Sequence, residues 1–345
     1  MKVASPGQRY LAYMVDLTIL ICIATLVATA FGIEPFFFEL ASLYFIQYES
    51  VMDFMLSNGS YSFGILGLIS FFYFSFECYT NFSFGKRIFN LRIAGKRSLS
   101  RSLVRGIVKS VIPLNILDSL FIYRYRKYGQ RFLDKGQNLT VVSLYNGTFL
   151  GLRRTGLSCL IAGGVIFYLP IIVNVCRTLP LLSSANITHV TPSPGTLSSF
   201  SPTLDKLYAI FMNNFSIFYN YYLVGGLALS SVALLQVFTQ ALFTGVIFAD
   251  SLASYPSFIV FGIFPHFFVE TLGLIFGLAS GFVISSVILD LIERYFRGAS
   301  LERNKDYLVK QTKVIFLFCI VTLGLLLLGA FIEIYITSFS LSHFY

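Results

Sequence analysis

The chain has 345 residues, of which 56% are apolar and only 12% are charged. Soluble domains usually carry about a quarter of charged residues, and a soluble protein of this composition would expose too much apolar surface. The composition therefore excludes a large soluble enzyme, a disordered chain and a disulfide-stapled secreted domain. Because a helical span needs roughly 20 apolar residues, we expect an all-α, polytopic integral membrane helical bundle.

The net charge of +9 is concentrated in one segment of the chain. Residues 83–154 hold 15 of the 25 Lys and Arg and only two acids, whereas residues 34–58 hold four acids and no base. Lys and Arg near span ends keep a segment in the cytoplasm, where anionic lipid headgroups attract it. We therefore expect a multi-pass protein of the cell membrane with a cytoplasmic N-terminus and an external C-terminus. Nucleic acid is not an expected partner, because no recognition module is present.

About seven spans are expected from the apolar runs. In chain order they are 10–33, 60–82, 155–178, 217–237, 240–254, 258–290 and 314–337, with breaks near Gln240 and Pro256. Residues 103–123 have basic flanks and Pro113 at their centre, which favours an interfacial or re-entrant helical hairpin over a crossing.

The chain is expected to contain two membrane domains joined by a linker. Residues 180–204 are rich in Ser, Thr and Pro and carry no charge before position 205, which is typical of an external loop. The predicted organisation is a membrane domain at 1–150, a linking span with the outer loop at 151–204, and a second membrane domain at 205–345.

The first candidate site lies on the first predicted helix. Arg9 and Asp16 are seven residues apart and therefore share one face. A carboxylate inside the hydrocarbon is costly unless it is paired or faces water. Asp16 is thus either a functional proton or cation site or part of a structural ion pair.

Three motifs in this half resemble the RDD family of membrane domains, which is named for one Arg and two Asp. They are RYLAYMVD at 9–16, FGKR at 84–87 with LRI at 91–93, and QRFLDK at 130–135 with TVV at 140–142. The resemblance maps the family's Arg onto Arg9 and its two Asp onto Asp16 and Asp134. It implies a transport-related or partner-binding module, with cation/proton exchange in some members. Asp134 is alternatively a structural partner of Arg131 or Lys135.

The second candidate site lies in the run 258–290, where His266 and Glu270 are one helical turn apart. This pair is either a proton relay within the membrane or a hydrogen-bonded pair that joins helices. Asp250 is a further candidate, because it could share a cavity with the pair. The HExxH zinc motif is absent, so we expect neither a metal site nor a cofactor.

The same region resembles the membrane domain of stage II sporulation protein M. The resemblance rests on Asn213-Asn214, Thr244-Gly245, Pro265-His266 with Glu270, and the small residues Gly273, Gly277, Ala279 and Gly281. Three of these glycines recur every four residues, which allows close approach of a helix in the same bundle or in a homodimer.

These observations favour a transporter or permease-like module for a small ion or solute, coupled to protons or cations. The alternative is a non-catalytic membrane scaffold that recruits a cytoplasmic partner, such as a MoxR-type ATPase, to a cell-envelope assembly. No nucleophile–base pair, phosphate-binding loop or metal cluster is evident in the sequence, so an enzyme is not expected.

Overall fold

The computed structural model describes most of the chain, in two compact units. The described residues are 2–32, 59–95, 98–111, 139–143, 148–184, 203–254, 262–296, 298 and 301–337. One unit comprises Met1–Ile166 with Ser285–Thr312, and the other comprises Phe167–Ile284 with Lys313–Tyr345. The predicted acidic segment 34–58 and most of the predicted outer loop lie outside the described residues. The predicted domain boundaries stay a prediction.

The described residues form an all-α architecture with one small sheet, which confirms the predicted fold class. The helices are α1 (Pro6–Ala30), α2 (Gly59–Thr80), α3 (Phe84–Ile88), α4 (Leu99–Ser110), α5 (Thr148–Ser184), α6 (Leu204–Ser216), the π-helix π1 (Ile217–Val224), α7 (Ser231–Ser254), α8 (Phe264–Phe296), α9 (Leu301–Phe331) and the π-helix π2 (Ile332–Thr337). The strands are β1 (Lys2–Val3), β2 (Leu91–Gly95) and β3 (Leu139–Ser143).

Within the described residues, five helices are long and apolar enough to cross a membrane, against about seven predicted spans. They are Pro6–Ala30, Gly156–Pro180, Val232–Ala253, Phe264–Tyr295 and Asn304–Thr337, and Gly64–Thr80 is a shorter apolar helix. The predicted break at Gln240 is wrong, because Gln240 lies inside α7. The chain breaks instead at the turn 225–230, where Leu229 and Ser230 adopt left-handed backbone conformations. The Tyr222 hydroxyl donates to the Gln240 side chain at 2.8 Å, so this polar residue is accommodated within the helix.

In the first unit, α1 packs against α2 and α3, and α2 packs against α4. A capping box begins α1: the Ser5 hydroxyl accepts from the Gln8 backbone, and the Gln8 side chain accepts from the Ser5 backbone. The Asp290 carboxylate also accepts from the Gly7 N–H at 3.0 Å. A carboxylate at this position is favourable because the helix dipole places partial positive charge there.

The first unit also contains a three-stranded antiparallel sheet, in the order β1–β3–β2. The side chains of Ile93 and Leu139 are fully buried and meet Cys78 at the end of α2. The Asn81 side chain accepts from the Ile93 N–H at 2.6 Å and so ties the end of α2 to β2. The sheet therefore fixes the turn that follows α2.

The distribution of apolar and charged side chains on helix α4 is the reverse of that on a helix of a soluble protein. Several apolar side chains of α4 are exposed, whereas two of its cations are buried. The exposed ones are Leu99, Leu103, Val104 and Ile107, and the buried residues are Ser102, Arg105, Gly106 and Lys109. At 12 residues and a rise of about 1.5 Å each, α4 is too short to cross a hydrocarbon core of about 30 Å. The interfacial or re-entrant hairpin predicted for 103–123 stays a prediction, because residues 112–123 lie outside the described residues.

In the second unit, the glycine face of α8 lies against other elements of the same chain. A Cβ on Gly273 would touch Leu325 of α9, and one on Gly277 or Gly281 would collide with Phe218 or Tyr222 of π1. The close approach predicted at this face is therefore made by elements of the same chain.

We predict that Gly85→Ala destabilises the protein. An added Cβ would overlap the Ala12 carbonyl oxygen, and overpacking of this kind costs about 1–3 kcal/mol. The free energy of unfolding in detergent micelles measures the effect. Gly67→Ala in α2 is the matched control, because nothing lies within 4 Å of its added methyl group. Equal stability of the two variants would contradict the prediction.

Candidate functional site

The Asp16 carboxylate connects three helices of the first unit. Oδ1 accepts from the Tyr73 hydroxyl at 2.7 Å and from the Gly85 N–H at 2.8 Å, and Oδ2 accepts from the Ser83 hydroxyl at 2.7 Å. Asp16 is 2% exposed. Ser83 also caps α3 by accepting from the Lys86 N–H. Asp16 therefore acts as an additional acceptor at the N-terminus of α3, where helical N–H groups lack partners.

A second buried carboxylate, Glu77 near the end of α2, binds two lysines. It forms ion pairs with Lys86 of α3 and with Lys109 of α4, whose Nζ lies 2.7 Å from Oε2. The Lys109 ammonium also lies over the Phe74 ring, 4.7 Å from its centroid, a favourable cation–π geometry. A charge buried this deeply is tolerated because it is paired.

Burial shifts the pKa of both lysines downward. For Lys86, burial lowers the pKa from 10.5 to about 8, and the neighbouring Glu77 carboxylate opposes the shift. Burial also lowers the pKa of Lys109, again opposed by Glu77. Lys86 therefore carries its proton below about pH 8 and releases it above, within the range in which proteins work.

A narrow cleft, with room for little more than a water molecule, runs between these groups. It is lined by Arg9, Ala12, Tyr13, Asp16, Lys86, Leu91, Arg105, Lys109 and Val141. Arg9 and Asp16, which the sequence places on one face of α1, thus both line the cleft. The Arg9 guanidinium donates to the Ala4 carbonyl at 3.1 Å and to the Val141 carbonyl at 3.3 Å, which anchors α1 to β3.

In the second unit, the structure adds a third group to the predicted pair His266 and Glu270. Ligand-capable atoms of these two side chains and of Glu333 in π2 lie within 4.8 Å of one another. The Asn214 amide donates to Glu270 Oε1 at 2.9 Å, and Nδ1 of His266 lies 3.3 Å from the Thr337 hydroxyl. All three side chains of the group are half-buried.

The two remaining sequence candidates do not join these groups in the described residues. Asp250 is exposed on α7 and does not belong to the group around His266. Asp134, together with Arg131 and Lys135, lies outside the described residues, so its predicted role stays a prediction.

Sequence reasoning counts Glu77 among the ionisable groups in or near the spans that favour transport, but it gives Lys86 and Lys109 no site role and does not single out Glu333. Glu333 carries the same signal as Glu77, because each is an acid inside an apolar run. Asp290 carries the same signal, and its carboxylate accepts from the Tyr307 hydroxyl at 2.9 Å.

We predict that Glu77→Gln destabilises the protein by about 3–5 kcal/mol, because it leaves two buried lysines without their carboxylate. Thermal unfolding in detergent micelles measures the loss. The control Asp306→Asn removes an exposed acid on α9 and should change stability by less than about 0.5 kcal/mol. The prediction fails if the two variants unfold at the same temperature.

Comparison with known proteins assigns the two halves of the chain separately. The RDD family matches residues 3–177, and the family described as stage II sporulation protein M matches residues 185–338, which confirms both resemblances. No curated protein and no solved structure matches the chain. Both families are membrane protein families, and with the five apolar helices they make this a multi-pass integral membrane protein. The match to the RDD family covers just over half of the chain's length, and the chain therefore belongs to the RDD family.

Proposed function

We propose that the protein is a transporter for a small ion or solute, coupled to proton movement through the buried charges of its first unit. The observation that carries this proposal is the attachment of the short helix α3 at two points. Asp16 of α1 binds its N-terminal N–H and its cap, and Glu77 of α2 binds its Lys86. One attachment is a set of hydrogen bonds, and the other depends on a titratable ammonium.

Proton release from Lys86 changes the second attachment only. The neutral amine no longer forms an ion pair with Glu77, so the electrostatic attraction between α2 and α3 weakens, while the hydrogen bonds to Asp16 persist. Since the narrow cleft is lined by Lys86, Asp16 and Arg9, such a change would alter its shape and charge together. This is the coupling that a proton-driven transporter requires.

On this proposal the protein is not an enzyme, because its chemistry is reversible proton binding. The basic segment 83–154 faces the cytoplasm, with the N-terminus on the same side and the C-terminus outside. Anionic headgroups then lie next to the exposed apolar face of α4 and the lysines and arginines around it.

The test is proton flux in proteoliposomes that enclose a pH-sensitive dye and are driven by a Na⁺ or K⁺ gradient. Wild-type flux should change with pH around 8, where Lys86 loses its proton. Lys86→Arg keeps the charge at every pH and should abolish that step, and Asp16→Asn should lower the flux at all pH values.

Lys305→Arg is the matched control, because Lys305 is exposed on α9 and its variant should retain the wild-type pH profile. Flux no greater than in protein-free liposomes would exclude transport of these ions. Unchanged profiles in both Lys86→Arg and Asp16→Asn would remove the first unit from the mechanism.

A second proposal, a scaffold for a cytoplasmic MoxR-type ATPase, is favoured by the first part of α9. This stretch presents a mixed row of exposed charged side chains, which are Glu302, Lys305, Asp306, Lys310 and Lys313. Mixed exposed charges suit the recognition of a soluble partner.

Purification from mild detergent at native expression level tests the scaffold. A MoxR-type ATPase identified in the eluate, and lost on combined Lys305→Glu and Lys310→Glu substitution, is the expected result. Recovery of the protein alone would count against a scaffold.

A further inference from the structure

The group formed by His266, Glu270 and Glu333 in the second unit has the composition of a metal site. His266 and Glu270 are one turn apart on α8, and Glu333 comes from π2 at the end of the last apolar helix. One ligand-capable atom from each lies within 4.8 Å of the other two. Two elements distant in sequence therefore bring one imidazole and two carboxylates to one point.

Charge balance argues that a cation belongs at this point. Two carboxylates this close repel each other, and either a bound proton or a bound metal cation removes that repulsion. A divalent cation bound by two carboxylates and a neutral imidazole forms a complex with no net charge. Such a complex is far less costly to bury among apolar helices than two bare carboxylates.

Neighbouring residues contact two of the three donors. The Asn214 amide donates to one oxygen of Glu270. The Thr337 hydroxyl lies beside Nδ1 of His266, and in the tautomer in which Nδ1–H donates to this hydroxyl, Nε2 has the lone pair for a metal. Hydrogen bonds of this kind hold metal ligands in place in known sites. Gly329 leaves room for the Glu270 side chain, with which a Cβ at that position would collide. Glu333 and Thr337 both lie in π2, a backbone form found frequently at functional sites.

We propose that His266, Glu270 and Glu333 bind one divalent transition-metal ion, with Zn²⁺ as the best match. A donor set of one imidazole and two carboxylates suits Zn²⁺ and its neighbours better than Ca²⁺ or Mg²⁺, which take oxygen donors. Tetrahedral zinc with bonds of about 2.0–2.2 Å places its donors about 3.3–3.6 Å apart, so an inward shift of up to about 1 Å per side chain closes the site. This site is independent of the charges on which the proposed transport function rests.

Titration of the full-length, tag-free protein with Zn²⁺ after chelator treatment tests the proposal, with calorimetry as the readout. We expect one ion per chain. Glu333→Gln should weaken binding more than about 100-fold, and Thr337→Val about 10- to 100-fold, as for residues that support metal ligands elsewhere. Glu302→Gln, which removes an exposed acid on α9, should bind as the wild type does.

Co²⁺ provides a second readout that depends on the coordination sphere. The visible absorption of bound Co²⁺ should change in His266→Gln and in the conservative variant Glu333→Asp, which keeps the charge. These variants also serve if Glu333→Gln does not fold. Absence of Zn²⁺ binding by the wild type would overturn the proposal, and so would equal affinity and equal Co²⁺ spectra in all ligand variants.

Discussion

The first unit is organised around the hydrogen bonds that the Asp16 carboxylate accepts. Its donors come from two other elements: Tyr73 lies in the middle of α2, whereas Ser83 and Gly85 lie at the start of α3. A neutral side chain at this position could not satisfy all three. Since Gly85 also allows α3 to approach the backbone of α1, one carboxylate and one missing methyl group together define how these helices meet.

Three further polar side chains of this unit also link its helices and strands. Glu77 adds a charged link from α2 to α3 and α4, Arg9 links α1 to β3, and Asn81 links α2 to β2. Each link crosses between elements, and each satisfies a group that would otherwise be buried at a cost. An apolar chain is thus held in one arrangement by a few polar contacts, which specify geometry where lipid-like packing alone would not.

The features that depend on local spacing could be predicted from the sequence. Apolar runs gave most of the long helices, and the spacing of His266 and Glu270 placed them one turn apart on one face. The partners of Asp16 could not be predicted, because Tyr73 and Ser83 are 57 and 67 residues away. The proximity of Glu333 to His266 and Glu270 could not be predicted for the same reason. The sheet was not predicted although the LTVVS of β3 has β-branched residues typical of strands, because its short strands pair with partners distant in sequence.

The reversed polarity of α4 has a consequence for the order of events during synthesis. A short helix with cations on its inner side has no stable position in lipid until an acid is there to receive Lys109. Glu77 lies 32 residues earlier, so this acid is synthesised before the lysine with which it pairs. Strand β1, in contrast, precedes its partner in the chain. It is made first, and its hydrogen-bonding partner β3 ends only at Ser143. The N-terminus must therefore remain available at least until residue 143 has been made, and the unit is complete only after Ser285–Thr312 has followed.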